Sequence, residues 1–326
     1  MDDKELRQLV ADTGRILLNE GLVARTWGNI SARKDATKFA ISPSGLGYEA
    51  MTSDDVPIYD YETETYEGQR KPSSEKKIHA AAYRNFEDVN FVIHTHQDYA
   101  TAVSLVGADK LKLTDEERAI LGEIEVADYG LPGTKKLKEN VEKAFKNNSK
   151  VVLMVHHGAV ILGKDRDDAL KKAKLLEEVC KRSVDSLVSE NAIEAGSLSK
   201  EMLSACEGIR VVSSESILKC AELGGFNAQL DDIVQMNGRK LRAVENDDGK
   251  ILKALNKQDA VLVKGVGCVI FTEEEDDAKA LSILSKKACT AYLYTRACNV
   301  KIALSAFDCV LMRTVYKLKY SKQKKG

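Results

Sequence analysis

The feature that most restricts this chain's fold is a segment that nearly recurs 109 residues further on. Val152-Leu-Met-Val-His-His-Gly158 falls on Val261-Leu-Val-Lys-Gly-Val-Gly267, and Val160-Ile161 on Val269-Ile270. Asp167-Asp-Ala169 falls on Asp276-Asp-Ala278, and Cys180 on Cys289. Each stretch reads as an apolar strand, a glycine-bearing turn, a second apolar strand and a long helix. Any two units of that kind look somewhat alike. Ten identities over the 31 positions from Val151 to Lys181 favour a duplicated unit instead. Strands mixed with helices of this length make a layered α/β chain, and 326 residues at roughly 150 per domain allow two domains. Periodicity fades over Ser189–Ser199, so the boundary is expected there, with domains at 1–190 and 191–326.

The repeat is unequal in chemistry. His157 faces Val266 and His156 faces Gly265. All five histidines (His79, His94, His96, His156 and His157) lie in the first 157 residues, whereas all seven cysteines come later. The cysteine number is odd and no C-x-x-C pair occurs, which argues against a disulfide framework or a zinc finger and for buried apolar thiols. Whatever the second half does, it cannot repeat a histidine-based site.

Composition narrows the class further. Lys plus Arg total 49 against 50 Asp plus Glu, a net charge of −1, so no basic surplus exists for a nucleic-acid backbone. The longest apolar run, around Val151–Val155, is far shorter than the roughly 18 residues of a membrane span. The N-terminus is charged from its second residue and has no signal-peptide core. A cytoplasmic protein without membrane or nucleic-acid partners is expected. The basic tail from Tyr320 to Gly326 reads as a solvated end.

Helices are predicted over Lys4–Glu20, from Pro72-Ser-Ser74 to about Asn85, over Asp98–Leu105 and Thr134–Lys146, and from about Asp167 to Leu187. Strands are predicted at Phe39–Ser42, Phe91–His94, Ile124–Ala127, Val151–Val155 and Ala159–Leu162. Arg25–Ser31 reads as a turn-rich lead into short strands, and Asp60–Lys71 as polar connection.

His94-Thr-His96 ends an apolar strand, and side chains two apart on a strand share a face. Alone, such a pair is more often two ordinary strand histidines. A third source, His156-His157-Gly158, comes at another strand end, where the glycine is expected to let the chain turn and aim the preceding imidazole inward. Three histidines with an open fourth position describe a catalytic zinc site, and a d-block divalent ion is expected. Ser73, Ser74 and Glu75 stand at a helix start, where free N–H groups and the dipole favour an anion. Glu75 suits a ligand or a base there, although an N-cap with a well-placed acid is the bland alternative. His79, one turn later, reads as a histidine behind the ligands or in the core. The turns Gly28-Asn29-Ile-Ser31 and Ser42-Pro43-Ser44-Gly45 offer N–H, amide and hydroxyl groups of the kind that cradle phosphate, though each alone is only a turn.

The ordered set Gly28-Asn-Ile-Ser31, Ser44-Gly45, Pro72-Ser-Ser-Glu75, His94-x-His96 and His157-Gly158 resembles the class II aldolase/adducin family, whose best-known enzyme is fuculose-phosphate aldolase. Pro72–His79, Thr101-Ala-Val-Ser104 and Tyr129-Gly-Leu-Pro-Gly-Thr134 are also close, and the resemblance spans about residues 4–187. It implies a three-layer α/β/α sandwich with a mostly antiparallel sheet, followed here by a second, partial and degenerate copy. It implies rings of four subunits, hence a homo-oligomer. It also implies zinc, or another divalent first-row metal, on His94, His96 and His157, with Glu75 as resting ligand and proton carrier. Asn29, Ser44, Gly45, Ser73 and Ser74 match positions that hold a substrate phosphate. The implied reaction is aldol cleavage of a ketose phosphate to dihydroxyacetone phosphate and an aldehyde through a metal-stabilised enediolate, with no Schiff-base lysine.

The family's aldolases also use a tyrosine after the H-x-H helix, and Ala108–Ile124 contains none. Asp115, Glu116 or Glu117 are candidates for that role, as acids serve in the family's epimerase branch. Sugar-phosphate 4-epimerase or dehydratase chemistry, and a non-catalytic adducin-like binding role, are therefore alternatives. The intact Glu75 and histidine set favours an enzyme.

Overall fold

The computed structural model describes residues 1–320, and the chain divides into two compact units at Lys181/Arg182. The basic stretch Ser321–Gly326 lies outside the described residues. No helix among the described residues is long and apolar enough to cross a membrane.

The first unit is built on one eight-stranded sheet. In chain order it comprises α1 (Asp3–Asn19), β1 (Asn29–Arg33), β2 (Lys38–Ile41), β3 (Ile58–Asp60), β4 (Thr65–Glu67) and α2 (Lys76–Asn85). It continues with β5 (Phe91–Thr95), α3 (Asp98–Ser104), α4 (Asp115–Leu121), β6 (Ile124–Ala127), α5 (Lys135–Lys146), β7 (Val151–Met154), β8 (Gly158–Gly163) and α6 (Arg166–Asp185). The strand order is β4-β3-β2-β1-β5-β8-β7-β6, antiparallel throughout except for the parallel β6–β7 pair. One short strand, β4, lies where the sequence suggested only polar connection. β4 is exposed along its whole length, so it shows no apolar alternation to read.

Alternation along the central strands separates the two faces. Val92, Val152, Met154, Val160 and Leu162 pack with Ile78 and Ala81 of α2, with Phe86 just after it, and with Leu137, Val141 and Phe145 of α5. Helices α1 and α3 contribute nothing to that cluster and lie on the opposite face, giving the expected sandwich. His94 has the parity of Val92, so it emerges on the face covered by α2 and α5.

The second unit holds α7 (Lys200–Ala205), β9 (Arg210–Val212), α8 (Glu215–Glu222), β10 (Gly225–Asn227), α9 (Asp231–Asn237) and β11 (Lys240–Val244). Then follow α10 (Asp248–Leu255), β12 (Ala260–Val263), β13 (Gly267–Ile270), α11 (Glu275–Ala297) and α12 (Ala306–Val315). Its sheet order is β10-β11-β12-β13-β9, with β11–β12 parallel and the other pairs antiparallel. Six of the seven cysteines are buried and all seven are free thiols, as expected of apolar packing residues.

Candidate metal centre

Strand pairing assembles the site. Asn29 of β1 stands opposite His94 of β5, and Ser31 opposite Val92. On the other side of β5, His94 stands opposite Val160 and Thr95 opposite Ala159. β8 therefore starts beside the end of β5, which brings the residues just before it, His156 and His157, to the His94-Thr-His96 end.

The three-residue connection between β7 and β8 then sorts its histidines. His156 takes a left-handed backbone (φ 69°) and its ring meets Tyr129 edge-on at 5.2 Å. His157 turns the other way and joins His94 and His96, their ligand atoms all lying within 4.8 Å of one another. The glycine acts differently from the expectation. Gly158 is not the left-handed residue of the turn. A Cβ there would lie 2.1 Å from the Thr95 carbonyl oxygen, so glycine is needed for the close approach of β8 to β5.

Glu75 caps the N-terminus of α2, with its own N–H donating to Ser73 Oγ at 3.2 Å. Its carboxylate lies among the imidazoles, Oε1 at 3.1 Å from His157 Nε2 and Oε2 at 3.1 Å from His94 Nε2. The Asn29 amide donates to Oε2 at 3.1 Å. Burial alone pushes the Glu75 carboxyl up, but the His157 and His94 imidazoles outweigh it and hold the group well below the usual carboxylate range. Glu75 is thus an anion at neutral pH.

The donor set fits a divalent ion. His94 Nδ1 donates to the Ala159 carbonyl at 2.9 Å, which leaves Nε2 as the ring atom facing the cluster. His94 Nε2 and His96 Nε2 are 3.2 Å apart. Two nitrogens, each at roughly 2.0–2.1 Å from one tetrahedral ion, are separated by about 3.3 Å. Three imidazoles and a carboxylate are the ligand types of borderline divalent metals.

The loops carrying the serines are joined. Pro43 and Pro72 form an isolated antiparallel bridge, Ser44 N donates to the Lys71 carbonyl at 2.9 Å, and Ser73 N to the Ser42 carbonyl at 3.1 Å. Ser73 is buried, Ser44 half-buried, and Ser74 and Gly45 exposed. A cavity of about 390 Å³ beside Ser74 and Glu75 is lined in part by Lys77, Arg84, Lys135 and Lys138. Asp115 and Glu116 sit exposed in the first turn of α4, while the Glu117 carboxylate accepts from Thr114 N at 2.9 Å in a capping box. His79 is fully buried and its Nε2 lies 2.5 Å from Asn29 Oδ1. Sequence reasoning missed two contributors, the Ala159 carbonyl and the buried Tyr83. A backbone group leaves no signature, and a tyrosine in a helix pattern reads as core.

The family model described as "Class II Aldolase and Adducin N-terminal domain" matches residues 8–184, more than half of the chain. The chain belongs to the class II aldolase/adducin family. Among class II aldolase relatives, an L-fuculose phosphate aldolase of Methanococcus maripaludis is 36% identical over 166 residues, 51% of this chain and 88% of the relative. An L-ribulose-5-phosphate 4-epimerase UlaF of Salmonella paratyphi B is 32% identical over 190 residues, 55% of this chain and 83% of the relative. A solved L-fuculose 1-phosphate aldolase superposes with a TM-score of 0.51 at 26% identity, covering 62% of this chain and 93% of that one. The first unit thus has the class II aldolase fold, in a superfamily whose named members include both aldolases and epimerases.

Proposed function

We propose that this chain is a zinc-dependent aldolase that cleaves a ketose phosphate to dihydroxyacetone phosphate and an aldehyde. The observation that carries the reading is the convergence of His94, His96 and His157 on the ionised Glu75 carboxylate. His94, His96 and His157 would hold the ion, with Glu75 as fourth ligand before substrate binds. A divalent cation bound there supplies electrophilic stabilisation of negative charge developing on the substrate's carbonyl and hydroxyl oxygens.

The chain's own groups do the rest. Asn29, Ser44, Gly45, Ser73 and Ser74, on joined loops at the helix α2 start, hold the phosphate through amide, hydroxyl and backbone N–H groups. Glu75 returns a proton to the carbon left electron-rich when the C3–C4 bond breaks, and removes it in the condensation direction. No lysine nucleophile is required.

A second reading, 4-epimerisation of a sugar phosphate, is favoured by the acidic first turn of α4, where Ala108–Ile124 lacks a tyrosine. The second unit is proposed to be a partial, metal-free counterpart of the first, on the support of its strand order and register, and the chain to act as a homo-oligomer.

Metal analysis of wild type beside the His94→Ala/His96→Ala double variant tests the site, and a screen of ketose 1-phosphates and pentulose 5-phosphates tests the reaction. Near-stoichiometric zinc lost in the variant, with aldehyde release, supports the aldolase. Interconversion without aldehyde release transfers the assignment to the epimerase. Failure to hold metal after reconstitution removes the enzyme reading and leaves a binding protein.

A further inference from the structure

Behind Glu75 a line of buried polar side chains runs into the core. Asn29, Ser31, His79 and Tyr83 are each no more than 4% exposed. Tyr83 OH lies 2.7 Å from Ser31 Oγ, Ser31 Oγ 2.6 Å from His79 Nδ1, His79 Nε2 2.5 Å from Asn29 Oδ1, and Asn29 Nδ2 3.1 Å from Glu75 Oε2. Asn29 and Ser31 are two apart on β1 and share the face covered by α2, while His79 and Tyr83 are one turn apart on α2.

Donor and acceptor chemistry allows one direction along this line. The Asn29 Oδ1 atom only accepts, so His79 Nε2 carries the proton. Burial keeps the His79 ring neutral, pushing its pKa down to about 3, so Nδ1 is a lone pair and accepts from the Ser31 hydroxyl. Ser31 in turn accepts from Tyr83. The order therefore ends with the Asn29 amide N–H donating to the Glu75 carboxylate. With the other His79 tautomer, Asn29 would flip and set its carbonyl oxygen against that carboxylate, an acceptor facing an anion in a buried site.

We infer that His79 is a positioning residue whose Nε2–H tautomer, with Nδ1 taken up by the Ser31 hydroxyl, locks the orientation of the Asn29 amide and thereby aims a hydrogen bond at Glu75. This deepens the proposed function and rests on it for Glu75 and Asn29. One Asn29 N–H is committed to the carboxylate, and its second remains for the substrate phosphate. A loss of the lock therefore disturbs both the proton carrier and the phosphate contact.

The test compares His79→Leu, His79→Gln and Ser31→Ala with wild type. Glutamine presents a donor and an acceptor on one planar group, whereas leucine presents neither. Nitrogen-15 spectra of wild type labelled at histidine and asparagine should show His79 as the Nε2–H tautomer and a slowly exchanging Asn29 amide. Zinc affinity, measured by chelator competition, should fall about 10–100-fold in His79→Leu and recover in His79→Gln, the range seen when partners of metal ligands are removed. On the substrate that wild type turns over, kcat and KM should both worsen in His79→Leu, with the same rescue. Ser31→Ala should leave a mixture of tautomers, and it decides the matter if His79→Leu does not fold.

A wild-type Nδ1–H tautomer, or leucine and glutamine variants equal in zinc affinity, would overturn the inference. Wild type that turns over no sugar phosphate overturns the proposed function instead, while the tautomer and zinc readouts still decide the role of His79.

Discussion

The β7–β8 and β12–β13 hairpins set the same backbone to two different uses. In the first, Val151 pairs with Ile161 and Met154 with Gly158; in the second, Ala260 pairs with Ile270 and Val263 with Gly267, each shifted by 109. The turn residues His156 and Gly265 both have φ 69°. A Cβ on Gly158 would strike the Thr95 carbonyl at 2.1 Å, and one on Gly267 the Val212 carbonyl at 2.5 Å. Where His94 stands opposite Val160 in β8, Val211 stands opposite Val269 in β13. Val266, the counterpart of His157, joins an apolar cluster with Leu198, Met202, Ile251 and Val269. Each hairpin is thus held by its ladder, its apolar alternation and one glycine-dependent close approach. The imidazoles are additions that the backbone tolerates, at the cost of keeping polar rings satisfied in a buried place.

The sharpest way to break this comparison is to convert one hairpin toward the other. His157→Val gives the first hairpin the residue of the second. The fold should survive, with little change in Tm, while zinc affinity and any sugar-phosphate turnover fall by at least about 100-fold, since a ligand outweighs the partners that orient ligands. Val266→His should gain no zinc, because Val211 and Ser213 stand where His94 and His96 would be needed, and it should lose about 1–3 kcal/mol from an unpaired buried ring. Elemental analysis with thermal unfolding of both variants distinguishes these outcomes. Zinc in Val266→His would show the second unit to be a concealed site.

Next in size are the glycines. Gly158→Ala and Gly267→Ala should each destabilise their unit by about 3 kcal/mol, because backbone, not a flexible side chain, meets the new methyl. Only Gly158→Ala should also lower zinc affinity, as it moves β8 away from β5. Equal zinc affinity in the two variants would mean that the ligand geometry does not depend on that approach.

These particulars show what was legible in the sequence. The convergence of His94, His96 and His157 was legible because histidines at i and i+2 at a strand end share a face, and because a third lay at another strand end. The recurrent hairpin was legible because apolar alternation and glycine survive the loss of chemistry. The reason for Gly158 was not, since a close approach between strands depends on pairing that spacing does not reveal. Nor was the line from Tyr83 to Glu75, because it joins β1 to α2 across about 50 positions of sequence and each member alone reads as core or cap. β4 escaped because an exposed edge strand carries no pattern.

That buried line gives the first unit an acid sensitivity that its counterpart, without histidines, lacks. His79 is held near 3 from an ordinary value of 6.5, chiefly by burial. Between those values the unfolded chain takes up a proton that the folded one refuses, so stability is complete above pH 6.5 and is lost as pH falls toward 3. At pH of about 4.5 the loss through this group is about 2–3 kcal/mol, at 1.36 kcal/mol per pH unit. Urea unfolding of metal-free protein near pH 7 and pH 4.5 should show a shallower decline for His79→Gln than for wild type. Parallel declines would mean that the ring is already protonated in the folded state.

The smallest effect expected concerns the left-handed turn residue. A non-glycine residue in that region costs roughly 1–2 kcal/mol relative to glycine, so the first hairpin bears a strain at His156 that the second avoids at Gly265. Nothing lies within 4 Å of a Cβ built on Gly265. Gly265→Ala should therefore lose about 1 kcal/mol from backbone alone. His156→Gly should gain a similar amount and forfeit about 0.5–1 kcal/mol from the edge-on Tyr129 contact, leaving Tm nearly unchanged. Thermal unfolding of the two single variants, with Tyr129→Leu and the His156→Gly/Tyr129→Leu double variant, isolates the contact. A clear gain in His156→Gly would show that His156 is kept at a price in stability for some purpose other than packing. A clear loss would make the ring, rather than the backbone, the element that sets the first turn.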